Sequence, residues 1–201
     1  MELSTWALYA LAAVGLSLTP GPNGLLALTH GALYGSRRTI ATIFGGLTGF
    51  ALVIAASLFG IGALLAANAE LLTWLKWIGG AYLMFLGFQI WRSEPIGDAP
   101  AKPSSGSAKS LFSQGLLSAV SNPKGILFFV AFLPQFVDPA RSLWVQFLIM
   151  AGTFLVIEFF YEYGVAFFAT KVQPLLKRSG KNFNRFFGGV FGVLGVLLPL
   201  R

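Results

Sequence analysis

Six long apolar stretches follow one another along the chain, and they limit its fold more than any other feature. A membrane is crossed by about 20 apolar residues in a helix, and a helix satisfies its own backbone hydrogen bonds in lipid. We therefore predict an all-α membrane protein, a single transmembrane domain over residues 1–201 with about six transmembrane helices. The predicted spans are approximately Leu3–Thr29, Thr39–Ala67, Leu71–Trp91, Leu111–Pro134, Leu143–Thr170 and Phe183–Leu200.

The composition agrees with a membrane bundle and excludes several function classes. Hydrophobic residues make up 56% of the chain and charged residues 10%, whereas about a quarter of a soluble domain is charged. With no cysteine and one histidine, neither a disulfide nor a metal site is expected. No cofactor is expected. The sequence contains no Walker motif, so ATP-driven transport would need another subunit. Because no Lys or Arg precedes Arg37, we interpret the N-terminus as a retained first span and not as a signal peptide.

Lysine and arginine residues are concentrated in alternate loops. The second loop has none, and the fourth has Arg141 opposite Asp138. Basic loops stay on the cytoplasmic side of a membrane, so both termini are predicted to be periplasmic or extracellular. Lipid headgroups and topology then explain the net charge of +7, and no nucleic-acid partner is expected. The first, third and fifth loops carry Arg37, Arg38, Arg92, Lys102, Lys109, Lys171, Lys177, Arg178 and Lys181.

A polar linker, residues 92–110, separates two groups of three spans, residues 1–91 and 111–201. Short motifs recur in the same order in both groups. Since an odd number of spans reverses the direction of the second group, the recurrence predicts two inverted three-helix repeats, as in many secondary transporters. The alternative is that both groups carry ordinary glycine packing faces. The matched motifs are Pro22-Asn23-Gly24-Leu25-Leu26 with Pro123-Lys124-Gly125-Ile126-Leu127, Leu52-Val53-Ile54 with Leu155-Val156-Ile157, and Lys76-Trp77-Ile78-Gly79-Gly80-Ala81-Tyr82 with Arg185-Phe186-Phe187-Gly188-Gly189-Val190-Phe191.

Two Pro/Gly motifs interrupt the first and fourth spans. They are Thr19-Pro20-Gly21-Pro22-Asn23 and Ser121-Asn122-Pro123-Lys124-Gly125. Proline removes a backbone donor and clashes with the preceding turn, so neither motif is a regular helix. Freed backbone groups must face protein or a wet cavity, and matched breaks in two halves indicate a substrate site. We predict that Thr19 to Asn23 and Asn122 to Gly125 bind substrate, with Asn23 facing Lys124. The alternative is a pair of kinks that only shape the bundle.

Three charged residues are predicted to lie deep in the membrane: Lys124, Glu158 and Glu162. Each costs about 2.5–3.5 kcal/mol at the centre of an inserted helix, so each is expected to pair or to face water. In the empty protein Lys124 is expected to pair with one of the two glutamates. Glu158 and Glu162 share one helix face, where, with Tyr161 and Tyr163, they suit proton coupling. The alternatives are a structural Lys–Glu bridge and a lipid-accessible position for Glu162.

Two further features have simpler interpretations. His30 follows the predicted first span near Arg37, and we interpret it as an interfacial residue in preference to a proton relay. Gly45-x-x-x-Gly49 and Gly188-x-x-x-Gly192 suit close helix crossings or a homodimer face, and helix packing is the preferred interpretation.

The two Pro/Gly motifs, with Gly79-Gly80-Ala81-Tyr82-Leu83 and Leu86-Gly87 of the third span, resemble those of the LysE/RhtB family of bacterial amino-acid exporters. The resemblance covers essentially the whole chain in length, order and spacing. It implies proton-driven export, by antiport, of amino acids or related metabolites across the bacterial inner membrane. The family often has an acidic residue in its fifth helix, a place that Glu158 fits and to which Glu162 is an addition.

An amino-acid substrate would use both breaks. Its carboxylate suits Lys124 and the amides that follow Pro123, and its ammonium suits the carbonyl groups freed by Pro20 and Pro22, the Asn23 amide oxygen or Glu158. A passive channel or a membrane scaffold is the alternative function. The sequence has no nucleophile–base set or metal cluster, so an intramembrane enzyme is not expected.

Overall fold

The computed structural model describes residues 1–19, 21–67 and 106–169, together with single positions between 74 and 92 and between 181 and 197. Outside the described residues lie Pro20, the second loop, residues 93–105 of the linker and residues 170–180. No β-strand occurs in the described part of the chain. Its helices are α1 (Leu3–Leu18), α2 (Pro22–Tyr34), α3 (Ser36–Ala67), α4 (Ala108–Val120), α5 (Pro123–Phe132) and α6 (Leu143–Phe167), with a 3₁₀ turn at Leu133–Gln135.

The helices account for four of the predicted spans. Within the described residues, Ser36–Gly60 of α3 and the whole of α6 are each long and apolar enough to cross a membrane. The pairs α1–α2 and α4–α5 pass the same test together, and each pair is bent by 53° at a short break. The helices are therefore interrupted at both predicted Pro/Gly motifs. The described positions of the predicted third and sixth spans are helical.

Three boundaries differ from the prediction. The first span continues to Tyr34, and α3 begins at Ser36, so one residue, Gly35, turns the chain. Its φ of 77° lies in the region that glycine adopts without strain. Arg37 and Arg38 therefore lie in the first turn of α3 and not in a loop. At the linker, α4 begins at Ala108, where the Ser107 side chain accepts a hydrogen bond from the Ser110 amide, so the linker ends before residue 110.

Glycines bring α3 and α4 together in parallel. The carbonyl of Phe112 faces Gly45, and the carbonyl of Thr42 faces Gly115. A Cβ built on Gly49 would lie 2.6 Å from the Cβ of Ala119, so a larger residue there would push the backbones apart. Gly45-x-x-x-Gly49 is therefore a helix crossing within the chain, as its preferred interpretation predicted.

A second glycine-packed pair joins α2 to α6, also in parallel. A Cβ on Gly31 would lie 2.5 Å from the Ala166 carbonyl oxygen, and one on Gly24 would lie 2.9 Å from the Tyr161 hydroxyl. The α2–α6 and α3–α4 pairs make up one half of the bundle. At one end of this half lie Arg37 and Arg38, in the first turn of α3, and Lys109, at the start of the adjoining α4. We call this end of the bundle the basic end.

The opposite half of the bundle has an aromatic core. Its rings lie close together: the centroids of Phe128 and Phe132 are 4.4 Å apart, and those of Tyr9 and Phe136 are 5.6 Å apart. The core packs α1 against α5 and the first half of α6, and so closes the bundle on the side of the breaks away from the basic end. Its buried members are Tyr9, Phe50, Phe128, Phe129, Phe132, Phe136 and Phe154.

Candidate functional site

The two breaks meet in the middle of the bundle, where Lys124 connects them. The first helix, α1, ends at Leu18 and leaves carbonyl groups without helical partners. The Nζ of Lys124, the second residue of α5, donates to the carbonyl oxygens of Thr19 at 2.8 Å and Leu16 at 3.3 Å. An ammonium group at a helix C-terminus satisfies such carbonyls and interacts favourably with the helix dipole. Lys124, which follows the second break, therefore holds α1, the helix that precedes the first break.

Asn23 makes the reciprocal connection. It occupies the same place in its motif as Lys124 does in the other, directly after the proline that begins the helix. Its Oδ1 accepts a hydrogen bond of 2.7 Å from the Ser118 hydroxyl of α4, and its side chain also hydrogen-bonds Glu162 of α6. Asn23, which follows the first break, therefore holds α4, the helix that precedes the second break.

The helices that begin at the breaks have different N-termini. At α5 the Oδ1 of Asn122 accepts from the amides of Lys124 at 3.1 Å and Gly125 at 3.3 Å. The N-cap of α2 is Gly21, and no side chain caps that helix. A Cβ built on Gly21 would lie 3.6 Å from the Lys124 Nζ. The uncapped amides of α2 and the ammonium of Lys124 thus converge, while the amides after Pro123 already have a partner.

One small cavity lies between the breaks. Its volume is about 20 Å³, which is room for roughly one water molecule and too little for an amino acid. Polar groups from four helices and an apolar wall surround it. The cavity in this conformation is therefore too small to hold the proposed kind of solute. Its lining includes Leu16, Ser17, Thr19, Gly21, Asn23, Phe50, Asn122, Lys124, Gly125, Phe154, Glu158 and Tyr161.

Both glutamates of α6 are buried, so the lipid-accessible alternative for Glu162 is wrong. Glu158 is 5% exposed and lines the cavity, whereas Glu162 is 2% exposed and sits behind Asn23. The two carboxyl groups interact with each other. One oxygen of each carboxyl group has no hydrogen-bond partner among the described residues, and the Ser17 hydroxyl interacts with Glu158. Buried polar atoms in this state are exceptional and are available to a ligand, a water molecule or a proton.

The expected ion pair of Lys124 with a glutamate does not form. Arg141 and Asp138 form an ion pair at 2.9 Å, whereas Lys124 forms none with a described residue. Glu158 lines the same cavity as Lys124 and acts on it electrostatically, but the ammonium is bonded to carbonyl oxygens. The structural Lys–Glu bridge considered above is therefore absent from this conformation. The reason is that the carbonyl groups of Leu16 and Thr19, at the end of α1, lie within hydrogen-bonding reach of Lys124.

His30 is buried and not interfacial as predicted. It is 4% exposed because α2 continues to Tyr34 and carries the imidazole inside the bundle. Its Nδ1 shares a hydrogen bond of 2.7 Å with the Thr42 hydroxyl of α3, and Gln114 of α4 also bonds it. The histidine thus connects α2 to both helices of the α3–α4 pair.

The structure brings most of the predicted site residues together. Pro22 and Pro123 each occupy the first position of their helix, where a missing amide proton costs nothing. Ser17 and Ser118 were not predicted from the sequence. They occupy matched places before the two breaks, so the internal repeat was the signal that could have identified them. The predicted residues on the cavity wall are Thr19, Gly21, Asn23, Asn122, Lys124, Gly125 and Glu158.

The chain is similar to known proteins over almost its whole length. Residues 14–201 match the family model described as LysE type translocator. An uncharacterized membrane protein of Vibrio cholerae is 36% identical over 200 residues, which cover 98% of each chain. A homoserine/homoserine lactone efflux protein of Salmonella typhimurium is 32% identical over 200 residues, or 98% of this chain and 97% of the relative. A leucine efflux protein of Enterobacter sp. is 30% identical over 205 residues, or 99% of this chain and 94% of the relative. No solved structure matches the chain.

These matches confirm the resemblance that the Pro/Gly motifs suggested. They also confirm that the chain is a transport protein and not an enzyme, since the family and the named relatives are translocators. The apolar helices and the membrane-protein relatives together make it an all-helical membrane protein.

Proposed function

Because the chain belongs to the LysE type translocator family, we propose that it exports amino acids or closely related metabolites from the cytoplasm by a secondary, proton-coupled mechanism. The observation that supports this proposal most is the cavity between the breaks. There the ammonium of Lys124, the uncapped amides of α2 and the carboxyl group of Glu158 face one another. An amino acid presents one carboxylate and one ammonium, and this lining offers a partner of opposite charge to each. The named efflux relatives act on homoserine, its lactone and leucine, which are candidates for the solute.

The proposed pose follows from the two helix ends. The substrate carboxylate lies against the Lys124 ammonium and the first amides of α2, a helix N-terminus being suited to an anion. The substrate ammonium lies against Glu158 or against the carbonyls that Lys124 occupies in the empty protein. Substrate therefore competes with α1 for the same lysine, and binding loosens the connection between the breaks. Leu16, Phe50 and Phe154 form the wall for an apolar side chain.

Glu158 and Glu162 are the proposed proton carriers. They are buried neighbours on one helix, and one of them lines the cavity while the other bonds Asn23. Two interacting carboxyl groups of this kind can exchange a proton without a large movement of either side chain. A proton bound at the pair changes the partner available to the substrate ammonium, which couples the two solutes in an antiporter.

The inverted-repeat architecture and the inner-membrane location are also proposals. The first is supported by the equal 53° bends at the two breaks and by the reciprocal contacts of Asn23 and Lys124. A homodimer is a further proposal, for which Gly192 offers an open surface, since no described residue lies within 4 Å of a Cβ built there.

Counterflow in proteoliposomes tests the proposed function. Vesicles loaded with unlabelled amino acid should accumulate labelled amino acid transiently, because a carrier exchanges one solute molecule for another. Homoserine, leucine and a panel of charged amino acids would define the substrate. A passive channel would equilibrate the label without the transient excess, and a scaffold would not move it at all; either result would reject the proposal.

The topology is tested with cysteines, which the natural chain lacks. We expect Ser105→Cys and Asn68→Cys to react with a membrane-impermeant thiol reagent from opposite sides, with Ser105 cytoplasmic, because basic loops stay in the cytoplasm. The cysteine-free parent is the control for background reaction. Reaction of both cysteines from the same side would reject the topology and the inverted repeat.

A further inference from the structure

The half of the bundle next to the basic end is built from two tight pairs with a polar boundary between them. Glycines join α3 to α4 and α2 to α6 at backbone distance. The boundary carries hydrogen-bonding side chains that lie along α2, α3 and α4. We call these residues the polar seam, and they are Asn23, His30, Thr42, Gln114 and Ser118.

Two sets of hydrogen bonds close the seam. Asn23 accepts from Ser118 at the level of the breaks, and His30 is bonded to Thr42 and Gln114 nearer the basic end. Asn23 and His30 are seven residues apart on α2, and Gln114 and Ser118 are four residues apart on α4. The two residues of each helix therefore lie on the same helix face. The seam therefore runs from the cavity towards the basic end.

We infer that the solute reaches the cavity from the basic end through the polar seam, and that the hydrogen bond between His30 and Thr42 closes this route in the conformation described. The inference rests on the proposed export function only for the identity of the solute. His30 acts as a gate residue, because its hydrogen bond to Thr42 holds α2 against α3, and it does not line the cavity.

The two halves of the bundle differ in what separation exposes. Parting the aromatic core would expose the rings of Phe128, Phe132 and Phe154 to water, and apolar area is costly to expose. Parting the seam exchanges hydrogen bonds between side chains for hydrogen bonds to water, and a typical hydrogen bond contributes little net free energy. The seam is therefore the side on which this conformation opens most readily.

The fold supplies the moving part. Two glycines flank α2, Gly21 at its N-cap and Gly35, whose φ is 77°, after its end. A Cβ on Gly46 of α3 would lie 2.7 Å from the Asn23 Nδ2, so the seam is narrow at the level of the breaks. At the basic end, Arg37 and Arg38 line an open cleft of about 790 Å³, and their charges attract solutes that carry a carboxylate.

Single cysteines test the route in right-side-out and inside-out vesicles. Ser118→Cys places a thiol in the seam, and the adjacent Leu117→Cys, at the same depth, places one on the exposed outer face of α4. We expect the cysteine at 118 to react with a membrane-impermeant maleimide from the basic end only, and the cysteine at 117 to stay unreactive. Adding Thr42→Val, which keeps the side-chain shape but removes the hydroxyl, should raise the rate at 118 about five-fold, the effect of one hydrogen bond. His30→Ala should raise it similarly.

The opposite results are equally clear. Reaction at 118 from the other end only, no reaction from either end, or equal rates with and without Thr42→Val would each overturn the inference. Normal size-exclusion profiles show that a variant is folded. Since labelling does not depend on transport, sided labelling without amino-acid counterflow would uphold the route and reject the proposed substrate.

Discussion

Lys124→Ala is expected to lower amino-acid counterflow by about 100-fold while the protein still folds and inserts. The ammonium faces the proposed substrate carboxylate and holds the end of α1 through Thr19 and Leu16. A charge-assisted hydrogen bond contributes up to about 3 kcal/mol, which corresponds to a change of this size. Because Lys124 is not in an ion pair with a described residue, alanine removes a buried charge without breaking one. The free energy of unfolding should therefore fall less than transport does.

Two variants sharpen this experiment. Lys124→Arg should retain more transport than Lys124→Ala, since the charge remains, but less than the parent, since a planar guanidinium cannot repeat the ammonium geometry at two carbonyls. Lys109→Ala removes an exposed lysine at the start of α4 and should transport normally. Counterflow rates, ligand affinity and thermal melting are the measurements. Normal transport by Lys124→Ala would reduce the second break to a kink and reject the proposed site.

The breaks and the buried charges were predictable because their causes are local. Proline removes a donor wherever it stands, so both interruptions follow from short stretches of sequence. Glu158 and Glu162 lie four residues apart, and helix geometry alone puts them on one face. The burial of that face followed from the position of both residues within an apolar span.

The partners of these residues were not predictable, because they come from distant parts of the chain. Lys124 bonds a carbonyl 108 residues away, and Asn23 bonds a hydroxyl 95 residues away. Local sequence shows that the end of α1 has free carbonyls, but the bend of the two broken helices decides that Lys124 and not a substrate meets them. The capping of α5 by Asn122, and its absence at α2, likewise appear only when the two helix starts are compared.

His30 shows how a small boundary error changes a functional interpretation. Apolar content faded near Thr29, so the sequence placed the histidine beyond the span. Gly35 turns the chain in a single residue, which lets α2 continue to Tyr34. The same turn moves Arg37 and Arg38 into the first turn of α3. A glycine turn of this kind leaves no composition change for a span prediction to detect.

Glu162→Gln is expected to abolish the response of export to a pH gradient and to leave exchange without a gradient nearly intact. Glutamine keeps the shape and the hydrogen bond with Asn23 but cannot bind and release a proton. Glu158→Gln should also lose the gradient response. Because Glu158 lines the cavity, it should in addition weaken substrate binding by about 10-fold, as expected for loss of one charged partner.

The measurement compares two conditions in the same proteoliposomes: efflux driven by an imposed pH gradient, and counterflow at equal pH. A coupling residue loses the first and keeps the second, whereas a variant that is misfolded loses both. Glu2→Gln, at the exposed N-terminus, is the matched control and should behave as the parent. If the two glutamine variants on α6 follow the gradient like the parent, protons are carried elsewhere, and the buried pair serves only to bind Asn23 and to shape the cavity.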